Sequence, residues 1–456
     1  MQKALSLSSP MWARRSRCCC AIAALAARSG RPATSCTMGT VGEGRGEVHG
    51  RAVSPAGEIM GRVGYYPRGF GLRETIGPRL RADYHSRIID RIRESGRRLE
   101  VGGLTLLLAR EFGFCYGVDR AVEYAYETRK QFPDRTIYLT GEIIHNPHVN
   151  NRLRQMGIRF LREADGSGPG LGVVEAGDVV ILPAFGVTVQ EMSELRSRGC
   201  ILVDTTCGSV LNVWKNVDRF SRAGFTALIH GKYTHEETRA TASRTARVPG
   251  GRFMVVRDRD EARIVCDYIR NGGDAGAFLE RFRKACTPGF DPDLDLGHIG
   301  LANQTTMLSS ESLEIQNMVR DALRDRYGEA ALVKRFRAFD TICSATQDRQ
   351  DAVVELLAER PDLVVVIGGY NSSNTTHLAT LAAGRAPTYH IEDARCIGSD
   401  NAIRHRPPGA RSETVTRGWL PGPPVRVGLT AGASTPNNKI GEVVEAIASL
   451  RGVELR

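Results

Sequence analysis

Three cysteines of this chain share a local setting in which a thiolate could bind a metal. Each comes just after a strand-like run and just before a helical one, in the segments REFGFCYGVDRA, LVDTTCGSVLN and AFDTICSATQDR. This repeated context predicts that Cys115, Cys207 and Cys343 meet at one centre, and it disfavours the alternative that all three are merely small packed residues. A helix N-terminus beside each sulfur is expected to favour the thiolate form through the helix dipole.

The pattern leaves two kinds of metal site open. Three thiolates could bind zinc together with a fourth ligand, or they could hold three irons of a cubane cluster whose fourth iron stays open. The body of the chain contains no CxxC pair, which weakens the case for a structural zinc ribbon. An iron with an open position is both a Lewis acid and a redox centre, and this combination suits the reductive removal of an oxygen ligand.

Polar loops follow several of the predicted strands. His145 lies in EIIHNPHVN, His235 and Glu237 lie in THEET, and Thr305 lies in NQTTM. Hydroxyls, amides and free backbone N–H groups in the GGYNSSNT and AGASTP loops are typical of anion sites at strand-to-helix turns. Each loop alone is consistent with an ordinary turn, but together the loops predict a pocket for a small molecule that carries phosphate.

Strand-like and helical runs alternate from about residue 104 onward, which predicts an α/β protein with parallel sheets covered by helices. The repeated cysteine context indicates three related α/β units. The predicted divisions are residues 1–50 as a transit peptide, 51–103 as an N-terminal extension, 104–206 as unit one, 207–341 as unit two with an insertion over 271–298, and 342–456 as unit three.

The net positive charge of the chain lies in its N-terminal region. The chain has 456 residues and a formal net charge of +11, yet residues 1–98 carry 18 Lys+Arg against 7 Asp+Glu, and the remainder carries 44 of each. A neutral body argues against nucleic-acid binding. The apolar runs are too short for a membrane span.

The first 42 residues contain six Lys+Arg, nine Ser+Thr and no acid. This composition predicts a disordered organelle presequence, with a secretory signal as the weaker alternative. The body keeps seven scattered cysteines, an odd number that indicates a reduced compartment.

Nine motifs occur in order between about residues 64 and 450: GFCYGVDRA, EIIHNPHVNNRL, VVILPAFG, VDTTC, HGKYTHEET, ANQTTM, DTICSATQDRQDAV, GGYNSSNTTHL and GLTAGASTP. With them the chain resembles the 4-hydroxy-3-methylbut-2-enyl diphosphate reductase family of the non-mevalonate isoprenoid pathway. The PAFG motif, the insertion and the YYPRGFG stretch resemble the plastid and cyanobacterial branch. The resemblance therefore implies a plastid (chloroplast stroma) location after removal of the transit peptide.

The resemblance also implies a trefoil of three α/β units around a central [4Fe-4S] cluster with three cysteine ligands and one open iron. The implied ligands are Cys115, Cys207 and Cys343. Glu237, assisted by Thr305, is implied as the proton donor that lets the substrate hydroxyl leave as water, giving isopentenyl and dimethylallyl diphosphate. The residues implied to hold the diphosphate are His145, His235, Ser372, Ser373, Asn374 and Ser434. An external electron donor, ferredoxin in a plastid, is implied as the partner.

Two residues depart from the family pattern. Phe185 of PAFG replaces a histidine of the bacterial branch, so one diphosphate contact is absent or replaced, with Lys232 as a candidate substitute. Gly208 replaces the proline that usually follows the second cysteine, which is expected to loosen that loop without removing the ligand.

Two other functions remain as alternatives. One is a zinc-dependent hydrolase of a phosphorylated small molecule, using the three cysteines, a histidine and Glu237 as base; it would be colourless and active without a reductant. The other is an RNA-binding or scaffold protein that uses the basic residues 1–98, whose RNA binding would be salt-sensitive.

Overall fold

The computed structural model describes residues 64–339 and 341–455. The predicted transit peptide over residues 1–50, and the predicted extension as far as residue 63, lie outside this part of the chain. Within it, no helix is both long enough and apolar enough to cross a membrane.

Strands and helices alternate along most of the described chain. The strands are β1 (Tyr65–Tyr66), β2 (Arg98–Val101), β3 (Leu104–Leu108), β4 (Ile137–Leu139), β5 (Ile158–Phe160), β6 (Val179–Leu182), β7 (Ile201–Asp204), β8 (Thr226–His230), β9 (Phe253–Val256), β10 (Ile299–Asn303), β11 (Phe336–Ala338), β12 (Leu363–Ile367), β13 (Thr388–Ile391), β14 (Ala402–His405), β15 (Thr414–Arg417) and β16 (Val425–Ala431). The helices are α1 (Arg73–Tyr84), α2 (Arg87–Glu94), α3 (Tyr116–Gln131), α4 (Pro147–Gln155), α5 (Val189–Ser197), α6 (Gly208–Arg222), α7 (Glu236–Ser243), α8 (Arg259–Asn271), α9 (Ala275–Phe282), α10 (Pro292–Asp295), α11 (Ser309–Tyr327), α12 (Glu329–Arg335), α13 (Ser344–Ala358), α14 (Ser373–Ala383) and α15 (Asn437–Ser449).

The described strands form three main sheets. The first has the order β1-β7-β6-β4-β5 and the second the order β11-β10-β8-β9, and both are parallel throughout. The third has the order β13-β12-β16-β3-β2 and is parallel except for β2, which runs antiparallel to β3. The prediction of an α/β protein with three parallel-sheet units is confirmed, and an antiparallel hairpin of β14 and β15 completes the set.

Each sheet is buried in an apolar core of its own. In the third sheet all five residues of β12, with the sequence LVVVI, are buried, as expected for a central parallel strand covered on both faces. The core of the second sheet includes Phe278, Phe282 and Phe290. These three side chains belong to the predicted insertion 271–298, so this segment packs into its unit.

The cysteines lie where the chain passes from one sheet to the next. The chain leaves β3 of the third sheet, passes Cys115 and α3, and enters β4 of the first sheet. Cys207 follows β7 of the first sheet and precedes β8 of the second, and Cys343 follows β11 of the second sheet and precedes β12 of the third. In each of the three sheets, therefore, one cysteine follows the end of a strand.

One predicted division differs from the observed pairing. Unit one was expected to begin at residue 104, but Leu104–Leu108 pairs with Val425–Leu429 and belongs to the third sheet. This pairing joins segments more than 300 residues apart, so local sequence patterns cannot reveal it.

The described part of the predicted extension is integrated into the fold. Tyr65–Tyr66 pairs with Leu202–Val203 at the edge of the first sheet, and the Tyr65 hydroxyl donates to Asp204 at 2.5 Å. The buried Glu127 carboxylate of α3 accepts hydrogen bonds from the backbone of this segment. From residue 64 onward the chain is therefore part of the body.

Candidate active site

The three predicted cysteines each occupy the position just before a helix and are partly buried. Cys115 precedes α3, Cys207 precedes α6 and Cys343 precedes α13. Their backbone N–H groups donate to carbonyl oxygens in three loops: Cys115 to Ala433 at 3.2 Å, Cys207 to Ala184 at 3.0 Å and Cys343 to Thr305 at 3.2 Å. The loops of Ala433 and Thr305 are two that the sequence predicts to form the pocket, and Ala184 belongs to the PAFG motif.

Gly117 lets two of the thiols approach one another. A Cβ atom added at this position would lie 2.6 Å from Cys207 Sγ and 4.0 Å from Cys115 Sγ. The two sulfur atoms therefore flank the same point of the α3 backbone. Only a glycine leaves room for the Cys207 sulfur there.

Burial, rather than the helix dipole, dominates the thiol electrostatics. Burial raises the pKa of Cys207, and it raises the pKa of Cys343 to about 11, with smaller contributions from the charges of Cys115 and Glu237. The backbone N–H groups at the helix starts do lower the pKa of both thiols, as the sequence predicts, but burial outweighs them. A bound cation would have to displace their protons.

The three thiols are donors of the kind that an iron–sulfur cluster requires, since such clusters are held by cysteine thiolates. The residues present therefore fit a cluster by their chemistry, and thiolates also bind zinc. In the described chain, a separate group of three ligand atoms within 4.8 Å of one another is formed by His145, His235 and Glu236.

Glu237 is a buried carboxyl group held by Thr305. It lies in the first turn of α7, where its Oε1 accepts from the Thr305 backbone N–H at 2.6 Å and its Oε2 from the Thr305 hydroxyl at 3.0 Å. Burial raises the pKa of Glu237 to about 7, although the bonds from Thr305 oppose the shift. A carboxyl group with such a pKa can carry a proton at neutral pH, as a general acid must.

His145 and His235 form a hydrogen-bonded pair. Their Nε2 atoms are 3.1 Å apart, and His235 Nδ1 accepts the Glu237 backbone N–H at 3.1 Å as the cap of α7. Burial lowers the pKa of His235 well below its usual value, so its ring is neutral and its proton is on Nε2. His235 therefore donates to His145. A metal ion at this pair would have to displace that proton, which makes the pair better suited to an anion.

Phe185 lies against this histidine pair. Its ring stacks on His145 with centroids 4.3 Å apart and an interplanar angle of 20°, and it meets His235 edge to face at 5.4 Å. At the position where the resemblance implied a histidine of the bacterial branch, this chain therefore places an aromatic ring against both imidazoles. Lys232 lies close enough to His235 for its charge to lower the pKa of that histidine, and burial lowers the pKa of Lys232 itself.

The predicted serine and asparagine residues belong to two loops of the third unit, one of which contacts the loop of His145. Ser434 donates to the carbonyl oxygen of His145 at 3.1 Å, and Asn374 Oδ1 accepts the Ala433 backbone N–H at 2.9 Å. Ser372 caps α14, and Ser373 accepts a long bond from Gln304 at 3.4 Å. The buried Asn374 Nδ2 has no partner among the described residues, so it is a donor available to a ligand.

Glu142 is a site residue that the sequence did not reveal. Its Oε2 accepts from His145 Nδ1 at 2.8 Å and from Asn371 Nδ2 at 2.8 Å, while its Oε1 accepts from Asn150 Nδ2 at 2.9 Å. The spacing Glu-x-x-His falls before the helix begins, so helix periodicity gives no signal. Only the folded chain shows that Glu142 links the loop of His145 to the NSSN loop.

Comparison with known proteins identifies the class to which this site belongs. The family model described as the LytB protein matches residues 106–448. This match spans more than half of the chain, so the chain belongs to the LytB family, whose members are iron–sulfur enzymes.

Two relatives that carry the same name indicate which reaction is catalysed. A protein of Thermosynechococcus vestitus called 4-hydroxy-3-methylbut-2-enyl diphosphate reductase is 50% identical, over 85% of this chain and 95% of its own length. A protein of Gloeobacter violaceus with the same name is 50% identical, over 85% of this chain and 93% of its own length. The activity of this chain is accordingly the reduction of 4-hydroxy-3-methylbut-2-enyl diphosphate, the terminal step of the non-mevalonate pathway.

A solved structure shares the fold. The E-1-hydroxy-2-methyl-but-2-enyl-4-diphosphate reductase from Plasmodium falciparum is 21% identical, with a TM-score of 0.55, and the match covers 74% of this chain and 86% of that one.

Proposed function

We propose that Cys115, Cys207 and Cys343 hold a [4Fe-4S] cluster with one open iron and that Glu237 is the general acid of the reaction. The observation that carries this proposal is the link between thiol and acid. Thr305 accepts the backbone N–H of Cys343 through its carbonyl oxygen, and the same residue holds both carboxylate oxygens of Glu237. The acid and one thiol thus share a single support.

The reaction consumes the substrate alcohol, two electrons and two protons. The C–O bond at the terminal carbon breaks, a C–H bond forms on the allylic skeleton, and the oxygen leaves as water. The products are isopentenyl diphosphate and dimethylallyl diphosphate. The cluster, when bound, supplies the electrons and a Lewis-acidic position beside the hydroxyl.

The chain's own residues bind the substrate, exclude water and deliver a proton. Glu237 is 1% exposed, so bulk water does not compete for its proton. The hydroxyl and the backbone N–H of Thr305 hold the Glu237 carboxyl group in place. In this scheme Glu237 protonates the departing oxygen, since a hydroxyl leaves far more readily as water than as hydroxide.

The diphosphate is proposed to bind where the buried polar groups converge: His145, His235, Ser372, Ser373, Asn374 and Ser434. The free amide of Asn374 and the polar Nε2 atoms of the two histidines supply donors without a cluster of arginines. A phosphate that enters between the histidines gains charge-assisted hydrogen bonds in a site shielded from solvent.

Electrons are proposed to come from an external protein, a ferredoxin. Support comes from the surface next to the first cysteine, where the side chain of Tyr116 is 80% exposed. The thiol centre therefore approaches the surface on this side, where a carrier protein could dock.

The arrangement of the units is proposed to be a trefoil around the cluster. The passage of the chain from sheet to sheet at each cysteine supports this arrangement. The predicted divisions at residues 207 and 342 fall beside two of these passages.

Residues 1–50 are proposed to direct the chain to plastids. Support comes from their basic, acid-poor composition and from the likeness of the body to cyanobacterial proteins. A fusion of residues 1–63 to a fluorescent protein should accumulate in the plastid stroma; cytosolic fluorescence would contradict the proposal.

Substrate-dependent oxidation of a reductant under anaerobic conditions tests the role of Glu237. Glu237→Gln should keep the cluster spectrum and bind the substrate, yet lose roughly 10²-fold or more of its turnover, the usual contribution of a general acid. Glu194→Gln is the control for the loss of a glutamate charge, because Glu194 of α5 is exposed and its carboxylate pairs with Arg198. A Glu237→Gln variant as active as the control would remove Glu237 from the acid role.

A further inference from the structure

We infer that Glu142 is a positioning residue that holds His145 so that binding of the substrate diphosphate takes up one proton from solvent at the His145–His235 pair. This inference rests on the proposed assignment of both histidines to the diphosphate. It adds a residue and a proton that the proposed function does not contain.

The first step is the number of protons between the two rings. The Nε2 atoms face each other at 3.1 Å, a distance at which one proton lies between them. His235 provides that proton, because its Nδ1 is occupied in accepting the backbone N–H of Glu237. In the free site, His145 Nε2 is therefore an acceptor.

The second step is the tautomer of His145. Its Nδ1 lies 2.8 Å from Glu142 Oε2, and a carboxylate can only accept, so Nδ1 carries the ring proton. Glu142 thereby fixes the ring orientation and leaves a lone pair on Nε2, as orienting carboxylates do for functional histidines.

The third step is what an anion requires. A phosphate oxygen that accepts hydrogen bonds from both Nε2 atoms needs a proton on each, while the free pair holds only one between them. The second proton must come from solvent, and it makes His145 an imidazolium. Glu142 then pairs with this cation on the side away from the phosphate, and the pair is shielded because its side chains are only 8% and 10% exposed.

Other charges face the pair from several elements, and only some of them favour the added proton. Glu236 of α7 approaches His145 Nε2 to 3.6 Å, but its side chain is 37% exposed, so solvent screens it. Lys232, after β8, opposes a positive charge on the neighbouring His235. Burial raises the pKa of Glu237 to about 7, and Thr305 rather than either imidazole ring holds its two carboxylate oxygens; Phe185 is uncharged. Glu142 is thus the buried anion best placed to retain the proton.

The test is calorimetry of 4-hydroxy-3-methylbut-2-enyl diphosphate binding to the anaerobic holoenzyme at pH 8, repeated in buffers of different ionisation enthalpy. The dependence of the heat on the buffer counts the protons taken up. Glu142→Gln should take up close to one proton fewer than the parent chain. It should also bind about tenfold or more weakly, the usual cost of a lost charge-assisted hydrogen bond.

Steady-state kinetics give a second readout. In Glu142→Gln the KM should rise by more than kcat falls, because the acid Glu237 is untouched.

Asn371→Ala is the matched control. Asn371 is exposed and donates to the same Glu142 oxygen without touching His145, so its removal breaks the link to the NSSN loop and spares the imidazole contact. Its proton count should equal that of the parent chain. Equal losses in Asn371→Ala and Glu142→Gln would show that Glu142 acts only as a structural link, and this result would overturn the inference.

His145→Gln separates the inference from the proposed function. If this variant binds the substrate as the parent does, with the same proton count, the assignment of His145 to the diphosphate fails. If it binds weakly while Glu142→Gln keeps the full proton count, only the role of Glu142 fails. Should Glu142→Gln not fold, a lower proton count in His145→Gln than in Asn371→Ala would support the inference, and an equal count would overturn it.

Discussion

Gly117→Ala offers a direct test of the thiol centre, because one methyl group is added between two of the sulfur atoms. The new Cβ would lie 2.6 Å from Cys207 Sγ, whereas non-bonded atoms of this size prefer about 3.5–4.0 Å. The sulfur or the start of α3 must therefore move by about an ångström.

Two opposing effects set the stability of this variant. Alanine in place of glycine within a helix normally stabilises by roughly 0.5–1 kcal/mol. Overpacking of a tight contact typically costs about 1–3 kcal/mol. We therefore expect a net loss of at most about 2.5 kcal/mol, small enough for the metal-free chain to fold. The displaced Cys207 sulfur should nevertheless lower cluster content severalfold.

The assay is iron and sulfide content with the anaerobic absorption spectrum, measured beside the thermal unfolding of the metal-free chain. Gly208→Ala is the matched control, because Gly208 adjoins the same cysteine but a Cβ there would meet nothing within 4 Å. The control should keep its cluster. A Gly117→Ala variant with full iron content and full activity would refute the reasoning that Gly117 makes room for the cluster ligands.

Two further predictions concern pH and local rigidity. The pKa of Glu237, raised to about 7 by burial, predicts that kcat falls as the pH rises through about 7, because the protonated acid is lost. An unfolded glutamate has released its proton by then, so the metal-free chain should lose on the order of 3 kcal/mol of stability between about pH 4.5 and pH 7. Glu237→Gln should abolish that loss in urea unfolding curves, and an unchanged pH dependence would contradict the raised pKa. Gly208→Pro should raise the melting temperature of the metal-free chain with a gain of about 0.4–1 kcal/mol. The reason is that Gly208 is the first residue of α6 and that Cys207 has the extended backbone, φ −63° and ψ 140°, that suits a residue before proline. A lower melting temperature would contradict the prediction that proline fits at residue 208.

The sequence predicted the features that depend on local chemistry. The repeated cysteine context predicted that Cys115, Cys207 and Cys343 each precede a helix, and each of them does. Strand-like apolar runs such as LVVVI predicted the sheets, because a parallel strand buried on both faces is apolar throughout.

The features that the sequence missed depend on distant contacts. The membership of β3 in the third sheet is set by pairing with β16, and the hydrogen bond of Glu142 to Asn371 spans the first and third units. The thiol electrostatics were also misjudged, because burial of Cys343 outweighs a helix dipole that is visible from the sequence. Long-range pairing has no local pattern, and the apolar runs that mark buried strands do not show how far a cysteine beyond the strand end is buried.

The central claim is that the three thiols hold an iron–sulfur cluster with an open iron. The most direct measurement is the anaerobic absorption spectrum with iron and sulfide analysis, on the parent chain and on Cys343→Ser. A brown protein with a broad band near roughly 400 nm and about four irons, weakened in the variant, is the predicted result. A colourless protein with stoichiometric zinc after anaerobic reconstitution would contradict the account and make the centre a zinc site.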